Sequence, residues 1–595
     1  MKATPWGFRD IMPEEAAARE AIADTVKSCF KEGGYLPVET PLLEDKAELE
    51  GAGRVADTPF KLFDDDGRLL VVRPDNTLSI VRMVTSRMRS TPLPIRLRYE
   101  APVVRHQARF AGVARQFTQL GFELIGEGGA EGDIEMVSLV AQVMQRLGLP
   151  GWRVVCGSAR PFMELLGRCG DAALARDALA LIHANDLVGL DVRISQSDVD
   201  ASVARAISAL PRLHGGIEVL EHLDALLTEA GVDVRATDEL RALARGLEQE
   251  GGNVCDALSF DFSIMNSFDY YTGLVFKAYA QGLADPVGSG GRYDAIFDGA
   301  FVGVPHVPAA GFAFSLERLE AALQGADEAA PGIVSGASAE APDAEGTSAG
   351  KEAGCLACVR FDGKAGQTPL RIAVPKGSLN EGTIDVLERA GLDVSGLRNP
   401  GRRLIVAAQD TREGAGSIGQ VEYVIVRATD APAFVACGGA DCGFCGRDSL
   451  IEADLDLLQL VDLGYGACRF IEAEPAGQGD ATERAYARRG VLRVATKYPR
   501  IAADWYARRG IAADIVSLHG NIELGPIVGM TDRIVDITAT GTTLRENNLV
   551  ITGEIMECTA RFFVNPGASR LDPRVRELGD RLAALVEERA VPRSS

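Results

Sequence analysis

Basic residues are in deficit: 62 Lys and Arg stand against 84 Asp and Glu, a formal charge of -22 at pH 7. A chain this acidic repels phosphate backbones at long range, which argues against general nucleic-acid binding and leaves room only for a local basic groove. Long apolar runs are also missing. No stretch supplies the ~18 apolar residues of a membrane-spanning helix, and the nearest, residues 300–316, is broken by Pro305 and Pro308. The opening MKATPWGFRDIMPEEAAARE carries charges throughout and has no apolar segment, so it is not expected to serve as a secretory signal. Cysteine is sparse. Eleven thiols, an odd number spread over 595 residues, fit reduced side chains better than a disulfide framework. These deficits predict a cytoplasmic protein with no membrane partner.

With 46% hydrophobic and 25% charged residues, the remaining composition is that of ordinary globular chains. At roughly 150 residues per domain, the length predicts a multidomain protein of about four compact units. The sharpest composition shift is GADEAAPGIVSGASAEAPDAEGTSAGKEAG, residues 325–354, where Ile333 and Val334 are the large apolar side chains. Such a segment cannot bury enough surface to offset its ordering entropy, so it reads as a linker with a typical span of about 30 Å. Before it, a helical pattern covers residues 14–31, with Ala17, Ile22, Val26, Cys29 and Phe30 approximating one face. Extended runs follow at 69–74, 95–106 and 116–126, a mostly helical stretch at 133–251, and strands again at 267–279. That segregation predicts α+β with an antiparallel sheet. After the linker, RIAVP (371–375), LIVAA (404–408), YVIVR (423–427), VLRVATK (491–497), ADIVSL (513–518) and RIVDI (533–537) alternate with helical patterns. This rhythm predicts parallel α/β lobes.

The most chemical segment is RIVDITATGTTLRENN, residues 533–548. A strand ends near Asp536, a turn of small hydroxyl residues follows, and a helical pattern begins at Leu544. Backbone N–H groups and the hydroxyls of Thr540, Thr542 and Thr543 would converge there on a phosphate, with Asp536 accepting from two ribose hydroxyls. Taken alone, the segment is equally well a Thr-capped junction with a solvated Asp. Its surroundings resemble the short-form catalytic subunit of ATP phosphoribosyltransferase: RIAVPKGSL, VRATDAPAFV, GGADCGFCGRDSL, DLGYGACR, RVATKYPRIA, HGNIELGPIVG and DITATGTTLRENNL run in that family's order and spacing. The resemblance implies an α/β, two-lobed, periplasmic-binding-protein-like fold over 370–595, with lobe crossings near 460–470 and 548–560. It implies joining of ATP to phosphoribosyl diphosphate, the first step of histidine biosynthesis, with Mg2+ held mainly by substrate phosphates. It places Lys376, Arg403, Arg427 and Glu523 among the catalytic groups, and Asp536, Thr538, Ala539, Thr540, Gly541, Thr542 and Thr543 on the phosphoribosyl group. No protein metal ligand is assigned.

Before the linker, PVETPLLED (37–45), VVRHQARFAGVARQFTQLGFELIG (103–126), and GGRYD with GFAFSLERL (311–319) resemble the three signature motifs of class II synthetases, and SFDYYTGLVFKAY (267–279) the histidine segment of histidyl-tRNA synthetase. The resemblance implies that Thr77, Arg105, Gln119, Glu123, Tyr270, Tyr271 and Tyr293 surround free histidine, and that the first motif forms a homodimer within a dimer, tetramer or larger assembly. Departures matter. Asn266 stands where the synthetases carry an arginine, Arg105-His106-Gln107 replaces Arg-x-Glu, and the linker takes the place of an anticodon-binding domain. The pattern is similar to the regulatory subunit of ATP phosphoribosyltransferase, which implies histidine as effector and no tRNA. The expected layout is a class II synthetase-like regulatory domain (1–324), a flexible linker (325–369) and a catalytic domain (370–595). A tether of this length sets an effective concentration of order mM. A non-charging histidine and nucleotide sensor, and a histidyl-tRNA synthetase-like enzyme with an appended domain, are the rival readings. Cys355/Cys358 and Cys442/Cys445 have zinc-like spacing, although the second pair falls where the family has apolar residues and so reads as packing.

Overall fold

The computed structural model describes residues 4–47, 60–107, 114–250, 254–264, 271–301, 303–327, 368–414, 416–538 and 541–590. The chain divides into two compact units, Met1–Thr368 and Pro369–Ser595.

In the first unit, β1 (Leu36–Pro37) is followed by a small sheet of β2 (Leu43–Asp45), β3 (Lys61–Phe63) and β4 (Leu69–Val72). The main strands are β5 (Ile95–Val104), β6 (Gln116–Ile125), β7 (Arg153–Ser158), β8 (His214–Gly215), β9 (Leu258–Asp261), β10 (Leu274–Tyr279), β11 (Gly288–Arg292) and β12 (Ala309–Ser315). They form a nine-stranded sheet in the order β1-β5-β6-β12-β11-β10-β7-β9-β8. IRLRYEAPVV in β5 alternates, so Ile95, Leu97, Tyr99 and Ala101 enter the core while the intervening residues face outward. The sheet is antiparallel apart from the β1–β5 and β7–β9 pairs. The stretch read as mostly helical from 133 to 251 therefore hides two strands, β7 and the two-residue β8. β7 is buried almost throughout, so it shows no alternation, and six residues between long helical patterns carry too short a signal. The helix Pro13–Glu32 buries Ile22, Ala23, Val26, Cys29 and Phe30, but Ala17 is exposed and Arg19 takes its place on the inner face, paired with Glu317 and Glu320.

The second unit holds two sheets. The first contains β13 (Leu370–Lys376), β14 (Ile405–Gln409), β15 (Gln420–Arg427), β16 (Cys442–Gly446), β17 (Leu458–Asp462) and, from much later in the chain, β23 (Ala560–Val564), ordered β14-β15-β13-β16-β23-β17. The second contains β18 (Cys468–Pro475), β19 (Leu492–Thr496), β20 (Ala513–Ser517), β21 (Arg533–Thr538) and β22 (Leu549–Cys558), ordered β20-β19-β21-β18-β22. β15, β13 and β16 are parallel, as are β20, β19 and β21. LIVAA, grouped with the parallel strands by its sequence, forms the antiparallel edge strand β14 instead. The chain passes between the sheets at 463–467 and returns at Thr559. Separate apolar cores underlie the two lobes: Ala373, Val426, Val435 and Phe563 in the first, Phe470, Val494, Tyr506 and Val535 in the second. Among the described residues, no helix is long and apolar enough to cross a membrane.

Candidate functional site

In the first unit, Asp75 starts the helix Thr77–Arg87 by accepting the Thr77 N–H at 2.8 Å. This brings the Thr77 hydroxyl to Glu123 of β6, to which it donates at 2.9 Å. Tyr99 donates to the same oxygen at 3.3 Å, and Tyr293 donates to the other. Burial pushes Glu123 up to about 8, against the hydrogen bonds from Tyr293 and Thr77; the charge of Asp75 adds to the rise. Gln119 donates to Asp75 at 3.0 Å and accepts the Asn76 N–H at 3.1 Å. Arg105 reaches Asp75 at 3.2 Å and the Pro74 carbonyl at 2.9 Å, with its guanidinium 5.0 Å from the Phe117 ring centre.

These groups surround a small, open pocket lined by Asp75, Thr77, Arg105, Gln119, Tyr271 and Tyr293, with Gly290 and Gly311 among its walls. Gly311 has no substitute here, because a Cβ would stand 1.7 Å from Glu123 Oε2. Glu123 itself is fully buried and lies behind Thr77 and Tyr293. The carboxylate on the pocket wall is Asp75, which sequence reasoning passed over; its signal was an acidic residue two positions before Thr77. Tyr270 and Asn266 lie outside the described residues. Arg318 bonds the Pro286 carbonyl at 2.9 Å and Asp285 at 3.0 Å.

In the second unit, Lys376 and Arg427 end the parallel strands β13 and β15 and stand opposite each other in register, both exposed. Arg403 precedes β14, and the bond from Ile425 N–H to the Leu404 carbonyl brings it to the same end of the sheet. Together these three cations form one basic edge. On the other lobe, β21 is anchored by Arg533, which reaches Glu474 at 2.9 Å and Glu472 at 3.1 Å. Asp536 follows near its carboxyl end. The Thr496↔Val535 register sets Lys497 beside Asp536. Burial pushes Asp536 up to about 6; the Ile537 N–H and the charge of Lys497 pull the other way, while Glu523 raises it further. Beyond β21, the Thr538 hydroxyl accepts the Gly541 N–H at 2.8 Å. Gly541 turns at φ 69, a conformation glycine adopts without strain, and the helix Thr542–Glu546 begins. The helix starts at Thr542, ahead of the Leu544 expected from the sequence. Ala539 and Thr540 lie outside the described residues. Arg545 overhangs the turn and donates to the Thr542 hydroxyl at 3.1 Å; Arg545 and Lys497 are the cations that sequence reasoning did not single out.

The carboxyl ends of β16 and β19 come together. Asp448, just after β16, accepts from Tyr498, just after β19, and feels the charge of Lys497. Asp536 and Glu523 are oxygen donors whose mutual repulsion favours a nearby cation. Among the described residues, no cluster of three His, Cys, Asp or Glu could hold a metal by itself. Cys442 and Cys445 are both buried in β16, and their odd spacing sends them to opposite faces of the strand. Cys355 and Cys358 lie outside the described residues.

A synthetase-like body with a polar pocket shares one chain with a two-sheet α/β unit whose strand ends gather cations and which carries a strand-turn-helix loop, the combination of a synthetase-like unit and a transferase unit. Residues 7–319 match the family model for histidyl-tRNA synthetase, and residues 427–585 match that for ATP phosphoribosyltransferase. An ATP phosphoribosyltransferase of Rubrobacter xylanophilus is 45% identical over 37% of this chain and 96% of its own. In Moorella thermoacetica two separate proteins match: an ATP phosphoribosyltransferase regulatory subunit, 35% identical over 56% of this chain and 84% of its own, and an ATP phosphoribosyltransferase, 41% identical over 37% and 90%. The chain belongs to the ATP phosphoribosyltransferase family, with a unit of the regulatory-subunit kind preceding one of the catalytic kind.

Proposed function

We propose that residues 370–595 transfer a 5-phosphoribosyl group from phosphoribosyl diphosphate to N1 of the adenine of ATP, and that residues 1–324 sense free histidine and restrain that reaction. The observation that carries the proposal is the presence of basic strand ends on one lobe and of Asp536, with the Gly541 N–H bound to the Thr538 hydroxyl, on the other. The two lobes suit a periplasmic-binding-protein-like arrangement in which the chain crosses twice.

As N1 attacks the anomeric carbon, positive charge develops on the ribosyl ring and negative charge on the departing diphosphate. No protein nucleophile is needed, so positioning and electrostatics supply the rate enhancement. Asp536, ionised above about pH 6, accepts from the ribose hydroxyls. Thr538, Gly541, Thr542 and Thr543, with Ala539 and Thr540, hold the 5′-phosphate. Lys376, Arg403 and Arg427 face the diphosphate and triphosphate, and Glu523 stands beside the nucleotide. Asp536 and Glu523 oxygens would hold magnesium brought by the diphosphate, which would neutralise charge on the leaving group.

In the first unit, Asp75 receives the ammonium of histidine, with Glu123 behind it, while Tyr271 and Tyr293 wall the imidazole. Assembly starts from a dimer through residues 37–45. Formation of phosphoribosyl-ATP by the purified chain, with and without histidine, tests both parts. Histidylation of tRNA by the same preparation would favour the synthetase reading.

A further inference from the structure

Two of the cysteines are cross-strand partners at the crossing between the lobes. Cys468 is the first residue of β18 and Cys558 the last of β22, and they are in direct register. One follows the 463–467 crossing and the other immediately precedes Thr559, so the thiols sit where both connections leave the second lobe's sheet. Directly opposed residues in an antiparallel pair have Cα atoms about 4.5 to 5.5 Å apart, inside the roughly 4.4 to 6.8 Å that a disulfide needs. Cys558 is buried in the second lobe's core and Cys468 packs against it, half-buried, with a route to solvent.

We propose that Cys468 and Cys558 form a reversible disulfide site at the hinge of the second unit, oxidised by a low-molecular-weight disulfide. The Cys558 S–H donates to the Cys468 sulfur and holds that thiol below its ordinary range, while the same contact and burial push Cys558 up. The roles follow. Cys468, as thiolate, attacks one sulfur of the small disulfide and expels a small thiolate. That thiolate takes the Cys558 proton, and the Cys558 sulfur attacks the mixed disulfide and expels the second small thiolate, which takes from solvent the proton Cys468 gave up on ionising. Two protein thiols and one small disulfide become one protein disulfide and two small thiols. The pair also faces the first lobe: Asp448 acts on both sulfurs and Arg447 on Cys558, while the Arg447 N–H bonds the Thr559 carbonyl. Because Asp448 also accepts from Tyr498 of the second lobe, a staple at this point stiffens the crossings on which lobe movement turns.

The consequence for turnover rests on the transferase reading; formation of the bond does not. The full chain is equilibrated in oxidised and reduced glutathione at a series of ratios, alkylated and mapped by mass spectrometry, with exposed Cys437 as the control for thiol access. The expected result is a peptide pair linked through Cys468 and Cys558, removed by dithiothreitol, with turnover reduced several-fold on oxidation and restored on reduction. Cys558→Ser should abolish the linked pair and the reversible loss of turnover alike. Alkylation of both residues at ratios where Cys437 is fully glutathionylated would overturn the site. A linked pair with unchanged turnover, in protein that makes phosphoribosyl-ATP, would overturn the hinge role.

Discussion

Glu123 and Asp536 are carboxyl groups that burial holds above their ordinary range, and each has a pH consequence. Glu123, pushed up to about 8, is mostly protonated in the empty pocket at neutral pH. A ligand ammonium favours its ionised form, so histidine binding between pH 6 and 8 should release a proton. Calorimetry in buffers of different ionisation enthalpy measures that release, and Glu123→Gln should remove it. Asp75 forms the pocket wall itself. Loss of its charged contact is worth about 1.5 to 3 kcal/mol, so Asp75→Asn should weaken histidine binding roughly 10- to 100-fold. Asp536, pushed up to about 6, offers both oxygens as full acceptors to the two ribose hydroxyls when ionised, and on protonation one oxygen becomes a donor. The specificity constant for phosphoribosyl diphosphate should therefore fall as pH drops through about 6. Asp536→Ala and Arg427→Ala should each abolish turnover in folded protein; near-normal activity in either would remove that residue from the site.

At the scale of elements, the helix Pro499–Arg508 begins without a capping side chain of its own. Glu452, from the helix Arg447–Ala453 of the other lobe, accepts the Arg500 and Ile501 N–H groups at 3.0 and 3.2 Å. A lost cap costs about 1 kcal/mol, so Glu452→Ala should hasten hydrogen exchange in 499–508 and lower the second unit's thermal midpoint. β5 was legible in the sequence because it alternates, and β13, β15, β19, β20 and β21 because they are short apolar runs between helical patterns. β7 was not, since burial on both faces erases its period. Long-range pairing was equally hidden: β23 joins the first sheet from beyond the whole second lobe, and no local pattern specifies that. The candidate sites followed the same rule. Gln119, Tyr293 and Asp536 lie in legible motifs and Thr77 was implied by the family resemblance, whereas Asp75, Lys497 and Arg545 owe their places to a helix start, a parallel register and an overhang.

For the whole molecule, the deficit of basic residues acquires a location. Lys376, Arg403 and Arg427 are concentrated on one sheet edge, which an acidic chain needs if it is to hold polyphosphates against a net charge of -22. The two functions share a chain, so regulation requires that histidine bind differently to states of different activity. The reciprocal follows by linkage: saturating ATP and phosphoribosyl diphosphate should weaken histidine binding by the factor that histidine weakens theirs. The most direct measurement is the initial rate of phosphoribosyl-ATP formation by the full chain across a histidine titration, run in parallel on Asp75→Asn. The account predicts substrate-dependent product, inhibition by histidine in the native chain, and little inhibition in the variant. No product from ATP and phosphoribosyl diphosphate, or equal inhibition of both proteins, would contradict it.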